Sequence, residues 1–130
     1  MNKKIQPTKN ESKPKEYEFT LMPKYLELIR SGKKTSEGRI NSGAFRDMKA
    51  GDKIKFFDKK QPSRAVYCEV IGNKKYKSFE EMLEGEGVEN MLPGCESLEA
   101  GVKIYERIPG YTERCEEKGC VAIQIKVIRK

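Results

Sequence analysis

The chain has no histidine, and its four cysteines, Cys68, Cys95, Cys115 and Cys120, stand far apart except for the last pair, which has four residues between its members. A structural zinc site needs closely spaced pairs of soft ligands, so this pattern argues against a metal centre, and no cofactor is expected. No apolar run approaches the roughly 20 residues needed to cross a bilayer, and the N-terminus lacks the apolar segment of a secretory signal. An intracellular, cytoplasmic protein with reduced thiols and no membrane partner is the expectation. Internal repeats are also absent, and 130 residues suit one domain.

What the chain has in quantity is charge. The net charge is +7 and the mean hydropathy −0.79. Residues 1–77 hold 20 basic and 9 acidic residues, a balance of +11, whereas residues 78–130 hold 7 and 11, a balance of −4. The basic first half suits phosphate backbones and other anions. The acidic second half offers a surface to a protein partner. Residues 1–15 carry five lysines and only Ile5 as a sizeable apolar residue after the initiator, too little to offset the entropy of ordering. A disordered basic tail is expected there, with a single domain over 16–130.

Within that domain, Tyr17, Phe19 and Leu21 alternate with polar residues as in a half-buried strand. Pro23 suits a helix start, Tyr25, Leu28 and Ile29 fall on one helical face, and Gly32 can end the helix. Ala44–Met48 reads as a turn or a single helical loop, and Lys53–Phe57 as a strand with Ile54 and Phe56 inward. Arg64–Ile71 reads as a strand whose Val66, Cys68 and Val70 share a face, so Cys68 belongs to the core. Ser78 and Ser97 can cap two short helices, the first interrupted by Gly85 and Gly87, and Val88–Gly94 reads as a loop. Ile108–Tyr111 is turn chemistry, Thr112–Gly119 is polar, and Val121, Ile123, Ile125 and Val127 form the best alternating strand, expected to be central. An α+β domain follows, a small mixed barrel with helices covering its openings.

The chemistry concentrates in Gly32-Lys33-Lys34-Thr35-Ser36-Glu37-Gly38-Arg39. A phosphate-loop reading fails, because position 27 is Glu27 where that motif needs glycine, and the string follows a helix instead of a strand. If residues 35–40 are extended, Thr35, Glu37 and Arg39 project from one face with Lys34 at the turn beside them, placing a carboxylate between two cations. Two readings stay open. Glu37 and Arg39 form a partly buried ion pair that fixes the strand, or the group binds a base, phosphate or small polar ligand in a cleft.

The spacing Gly32-x-Lys34-x-x-Glu37-x-Arg39 resembles the signature of the ASCH domain, a PUA-like family. The helix before it, Gly51-Asp52-x-Ile54-x-Phe56, Tyr76-x-Ser78-Phe79-Glu80-Glu81-Met82 and the strand Val121–Ile125 extend the likeness over about residues 16–128. It implies a small PUA-like mixed β-barrel with short helices flanking a cleft, and a partner that is RNA or a nucleoside or nucleotide. Lys34, Glu37 and Arg39 would line the cleft, with Lys33 close to a phosphate. Some small members resemble amidohydrolases of N4-acylated cytidine that use a Lys, Thr and Glu set. Here Lys34 matches the lysine and Glu89 the glutamate, but Glu37 stands where the threonine is expected, so Thr35 or Ser36 would have to supply the hydroxyl. As an enzyme, the chain would use Lys34 with Glu37 or Glu89 moving a proton. Tyr76 and Phe79 either stack on a base or anchor their helix.

Overall fold

Residues 13–129 are described by a computed structural model of the chain. The expected basic tail lies outside them up to residue 12, and Lys15, its last residue, is already tied down. The Lys15 amide donates to Asp52 Oδ1 at 2.9 Å, and its carbonyl accepts from Lys53 N at 2.8 Å. That anchor starts β1 (Glu16–Thr20), which runs parallel to β3 (Lys53–Phe57) with Tyr17 beside Ile54 and Phe19 beside Phe56. Antiparallel pairings then add β4 (Ala65–Tyr76), β5 (Cys120–Arg129) and β2 (Ser36–Ile40), in the order β1-β3-β4-β5-β2. Among the described residues β1 and β2 do not pair, so the sheet is a curled half-barrel with an open seam between its two edge strands.

Alternation along the strands builds a core on each face. On one side Val66, Cys68 and Val70 of β4 and Val121, Ile123 and Ile125 of β5 pack under Leu26 and Ile29 of α1 (Pro23–Arg30) and beside Met48, which follows α2 (Gly43–Asp47). On the other, Ile40, Cys120 and Ala122 meet a layer of four helices, α3 (Phe79–Glu86), α4 (Val88–Met91), α5 (Leu98–Glu106) and α6 (Tyr111–Lys118). Cys120 to Ile123 are fully buried, as expected of an inner strand covered on both faces. The fold is the α+β, barrel-like class expected from the sequence, and no helix among the described residues is long and apolar enough to cross a membrane.

Several local expectations are corrected. The segment 88–94 begins with a helical turn, α4, which seats Met91 in the core, and the polar stretch 112–119 is helical up to Lys118, as the body of α6, with Gly119 capping it. Gly85 lies inside α3, where a Cβ would sit 2.6 Å from Tyr76 Oη, and only Gly87, at φ +96°, ends that helix. On α1 the fully buried pair is Leu26 and Ile29, while Tyr25 and Leu28 are half-buried. Strand β4 runs five residues past Ile71, because a bulge between Val70 and Gly72 leaves Ile71 exposed and resets the alternation.

Candidate functional site

Gly32, at φ +84°, reverses the chain after α1, a conformation that glycine adopts without the Cβ penalty. The amides of Lys33 and Lys34 both donate to Leu28 O across that turn. Lys33 remains exposed and does not line the cleft described below, whereas Lys34 turns inward and is 2% exposed. The Lys34 Nζ donates to Ser36 O at 2.7 Å and to Met91 O at 2.6 Å, and meets Glu37 Oε1 at 3.2 Å. An ammonium has three protons, and each has an acceptor here.

Glu37 and Arg39 lie opposite Ile123 and Val121 in β5, so both side chains leave β2 on the α1 side of the sheet, at its edge. Glu37 Oε2 accepts from Arg39 Nε at 2.7 Å. Burial alone would raise the Glu37 carboxyl, but the Lys34 ammonium and the Arg39 guanidinium outweigh it and hold the group below the usual carboxylate range. The site therefore contains a buried anion between two cations. The Arg39 guanidinium also sits 4.7 Å from the Phe45 ring centroid and 5.7 Å from that of Phe19, which ties β2 to α2 and β1 across the seam. Its two terminal nitrogens make no hydrogen bond among the described residues.

Above this group the seam opens into a cleft of about 520 Å³. Its aromatic wall comes from three elements: Tyr25 of α1, Tyr105 of α5 and Tyr111 of α6. None of the three hydroxyls has a hydrogen-bond partner among the described residues. Burial first and Glu37 second push Tyr105 well above its ordinary pKa, and Tyr25 moves the same way for the same reasons, so both remain O–H donors. Asp58 enters from the loop after β3, where its Oδ1 accepts from Lys60 N at 3.0 Å and fixes a turn that brings Lys59 and Lys60 to the cleft. Size and lining fit a small-molecule site, for which about 300–1,000 Å³ is usual.

The other residues named from the sequence fall elsewhere. Glu89 is exposed on α4 and does not line the cleft. Thr35 is also outside it, held through its backbone by Asn90 O and Ile125 N. Ser36 points to the opposite face of the sheet, where its hydroxyl donates to Glu86 Oε1 at 3.1 Å. Tyr76 donates to Glu86 Oε2 at 2.6 Å, and Phe79 stacks on Tyr105 and Tyr111 behind the cleft, so both anchor helices. Sequence reasoning missed the tyrosine wall and Asp58. Only the Ile108-Pro109-Gly110 turn, which brings Tyr111 back toward Tyr105, hinted at part of it.

The profile of the ASCH domain matches residues 19–129. Among solved structures, the hypothetical protein PH0355 is 43% identical and superposes with a TM-score of 0.78, over 87% of this chain and 99% of its own. Protein PF0455 of Pyrococcus furiosus is 39% identical with a TM-score of 0.72, over 88% and 99%. A mutant of the ZmASCH protein of Zymomonas mobilis, 15% identical, shares the fold with a TM-score of 0.54, over 84% of this chain and 66% of its own. No curated protein matches the chain. A domain profile that spans nearly all the described residues, including the whole Lys34, Glu37 and Arg39 group, together with this shared fold, establishes that the chain belongs to the ASCH domain family.

Proposed function

We propose that the protein is an RNA-binding module whose seam cleft takes one unpaired base with its sugar. The observation that carries this reading is the Glu37–Arg39 pair. A carboxylate fixed as an acceptor stands beside a guanidinium with two uncommitted nitrogens, under a wall of tyrosines. Base edges present donors and acceptors side by side, and aromatic walls stack on their faces. Arginine suits the task because its planar fork donates two parallel hydrogen bonds.

The test is Arg39→Lys, which keeps the charge and loses the fork. Binding of the four nucleoside 5′-monophosphates and of short RNA is measured by calorimetry. A loss of tenfold or more is expected, since a hydrogen bond to a charged group contributes about 1.5–3 kcal/mol. Unchanged affinity would remove Arg39 from the site.

The alternative of N4-acylcytidine hydrolysis draws on the buried Lys34 and Glu37. Against it, the hydroxyls of Thr35 and Ser36 and the carboxylate of Glu89 stand outside the cleft, and every Lys34 proton is engaged. Hydrolysis of N4-acetylcytidine by the wild type, abolished in a folded Lys34→Ala variant, would reverse this preference.

A further inference from the structure

The cleft has a rim of exposed apolar and basic side chains. Four large apolar side chains are notably exposed among the described residues, Met22, Ile71, Ile108 and Ile128, and two of them stand at the cleft: Met22 at 62% and Ile108 at 37%. Met22 sits just ahead of α1, and Ile108 in the turn between α5 and α6. Lys59 and Lys60 lie on the same cleft, and neither makes a salt bridge among the described residues. Their loop is a built turn. Asp58 N donates to Arg64 O at 3.0 Å, Gln61 N to Asp58 O at 3.2 Å, and the Asp58 side chain accepts from Lys60 N.

Met22, Ile108, Lys59 and Lys60 all line the one cleft, so exposed apolar surface and unpaired cations are offered to the same ligand. A nucleotide whose one base is seated over Glu37 and Arg39 has no second base face for Met22 and Ile108. A polynucleotide offers both complements at once, a flat base face for Met22 and Ile108 and a phosphodiester anion for Lys59 and Lys60. Resting on the cleft reading above, we infer that the ligand is a single-stranded RNA segment of at least two nucleotides. One base enters over Glu37 and Arg39, its neighbour rests on Met22 and Ile108, and the linking phosphate faces Lys59 and Lys60. A duplex is excluded from this arrangement because its bases are not free to separate.

The experiment compares the four nucleoside monophosphates, the four homotetraribonucleotides and an RNA duplex, by calorimetry or fluorescence anisotropy at 50 and 200 mM salt. The wild type is set against Met22→Ser/Ile108→Ser, Lys59→Gln/Lys60→Gln and Arg39→Lys. The best tetranucleotide is expected to bind at least tenfold tighter than its monophosphate and tighter than the duplex. The ratio of tetranucleotide to monophosphate affinity should fall about fivefold in the Met22→Ser/Ile108→Ser variant, the equivalent of covering about 40 Å² of apolar surface. The one linking phosphate held by these lysines gives a salt slope of about −0.7 on single strands, or about 2.6-fold weakening from 50 to 200 mM, and the double glutamine variant should flatten it. Monophosphates binding as tightly as tetranucleotides, or a ratio unmoved by the rim variant, would overturn this inference and leave the one-base cleft standing. Tetranucleotide binding that Arg39→Lys does not weaken would place RNA elsewhere and overturn both. So would the absence of binding by either ligand at low salt.

Discussion

Replacing Glu37 by glutamine tests the electrostatics of the site directly, because the substitution preserves shape and removes one charge. In the native protein each carboxylate oxygen serves one cation: Oε1 meets Lys34 Nζ at 3.2 Å, and Oε2 accepts from Arg39 Nε at 2.7 Å. An amide can accept at only one of these places and would present its own N–H to the other donor. Lys34, 2% exposed, would keep only the Ser36 and Met91 carbonyls and lose its counter-charge. Removing one partner of a buried ion pair costs about 3–5 kcal/mol. Because glutamine retains one acceptor, about 3 kcal/mol is expected, a fall in Tm of roughly 10 °C for a domain of this size. The folded-state pKa of Glu37 is depressed, so its contribution is fully present above the unfolded value, near 4.5, and is lost as pH falls through the lower folded value. The stability gap between wild type and Glu37→Gln, measured by urea denaturation, should stay constant from pH 7 to about 5 and close below 4.5. Equal stability at pH 7, or a gap that persists at pH values where the native carboxyl is protonated, would refute the assignment of Glu37 as a buried anion.

Two further expectations concern packing and thiols. At Gly38 a Cβ would lie 2.7 Å from Tyr105 Oη and 2.8 Å from Met82 Cε, so Gly38→Ala should destabilise by about 1–3 kcal/mol. In a Tyr105→Phe background, where the hydroxyl is gone, the same substitution should cost less, and strict additivity in a denaturation cycle would show that the contact is not the cause. Cys68, Cys115 and Cys120 are buried while Cys95 is partly exposed, and burial pushes the Cys68 thiol up to about 12. The native protein should therefore take up one equivalent of a maleimide quickly, at Cys95, and fast modification of Cys68 would contradict the core packing of β4.

The strands that were legible in the sequence are those whose alternation is undisturbed. Tyr17 and Phe19, Ile54 and Phe56, and Val121 to Val127 each present one face to the α1 core, and the two-residue period reports it. The second half of β4 was hidden because the bulge at Ile71 shifts the phase and because Asn73, Lys74 and Lys75 carry no apolar signal. Helix α6 was hidden for a related reason: only Tyr111 and Cys115, four residues apart, reach the core side, amid a run of glutamates. At the site, Glu37 and Arg39 could be placed together because residues two apart share a strand face. Which of two adjacent lysines turns inward depended on the Gly32 turn and on the Met91 carbonyl, which lies 57 positions away. The tyrosine wall is assembled by topology from three helices, and no local spacing encodes it.

The charge asymmetry of the sequence becomes directional once the fold is known. The span 79–118, which holds the four helices on one face of the sheet, contains 11 acidic and 4 basic residues, so this layer repels a phosphate backbone. The uncovered part of the same sheet face is neutralised in rows: Glu16 lies beside Lys53, Lys53 beside Glu69, and Glu69 beside Lys126. Arg129 and Lys55 flank the Tyr67 ring at 4.0 and 5.9 Å, so that aromatic is already occupied by cations. Neither surface offers unengaged positive charge beside an open aromatic wall. The seam does, with Lys59 and Lys60 on one side and the tyrosines on the other. A closed barrel would have paired β1 with β2 and removed this opening. The unpaired edges, held by Arg39 against Phe19 and Phe45 instead of by a ladder of backbone bonds, leave the cleft open next to the only buried carboxylate set between two cations among the described residues.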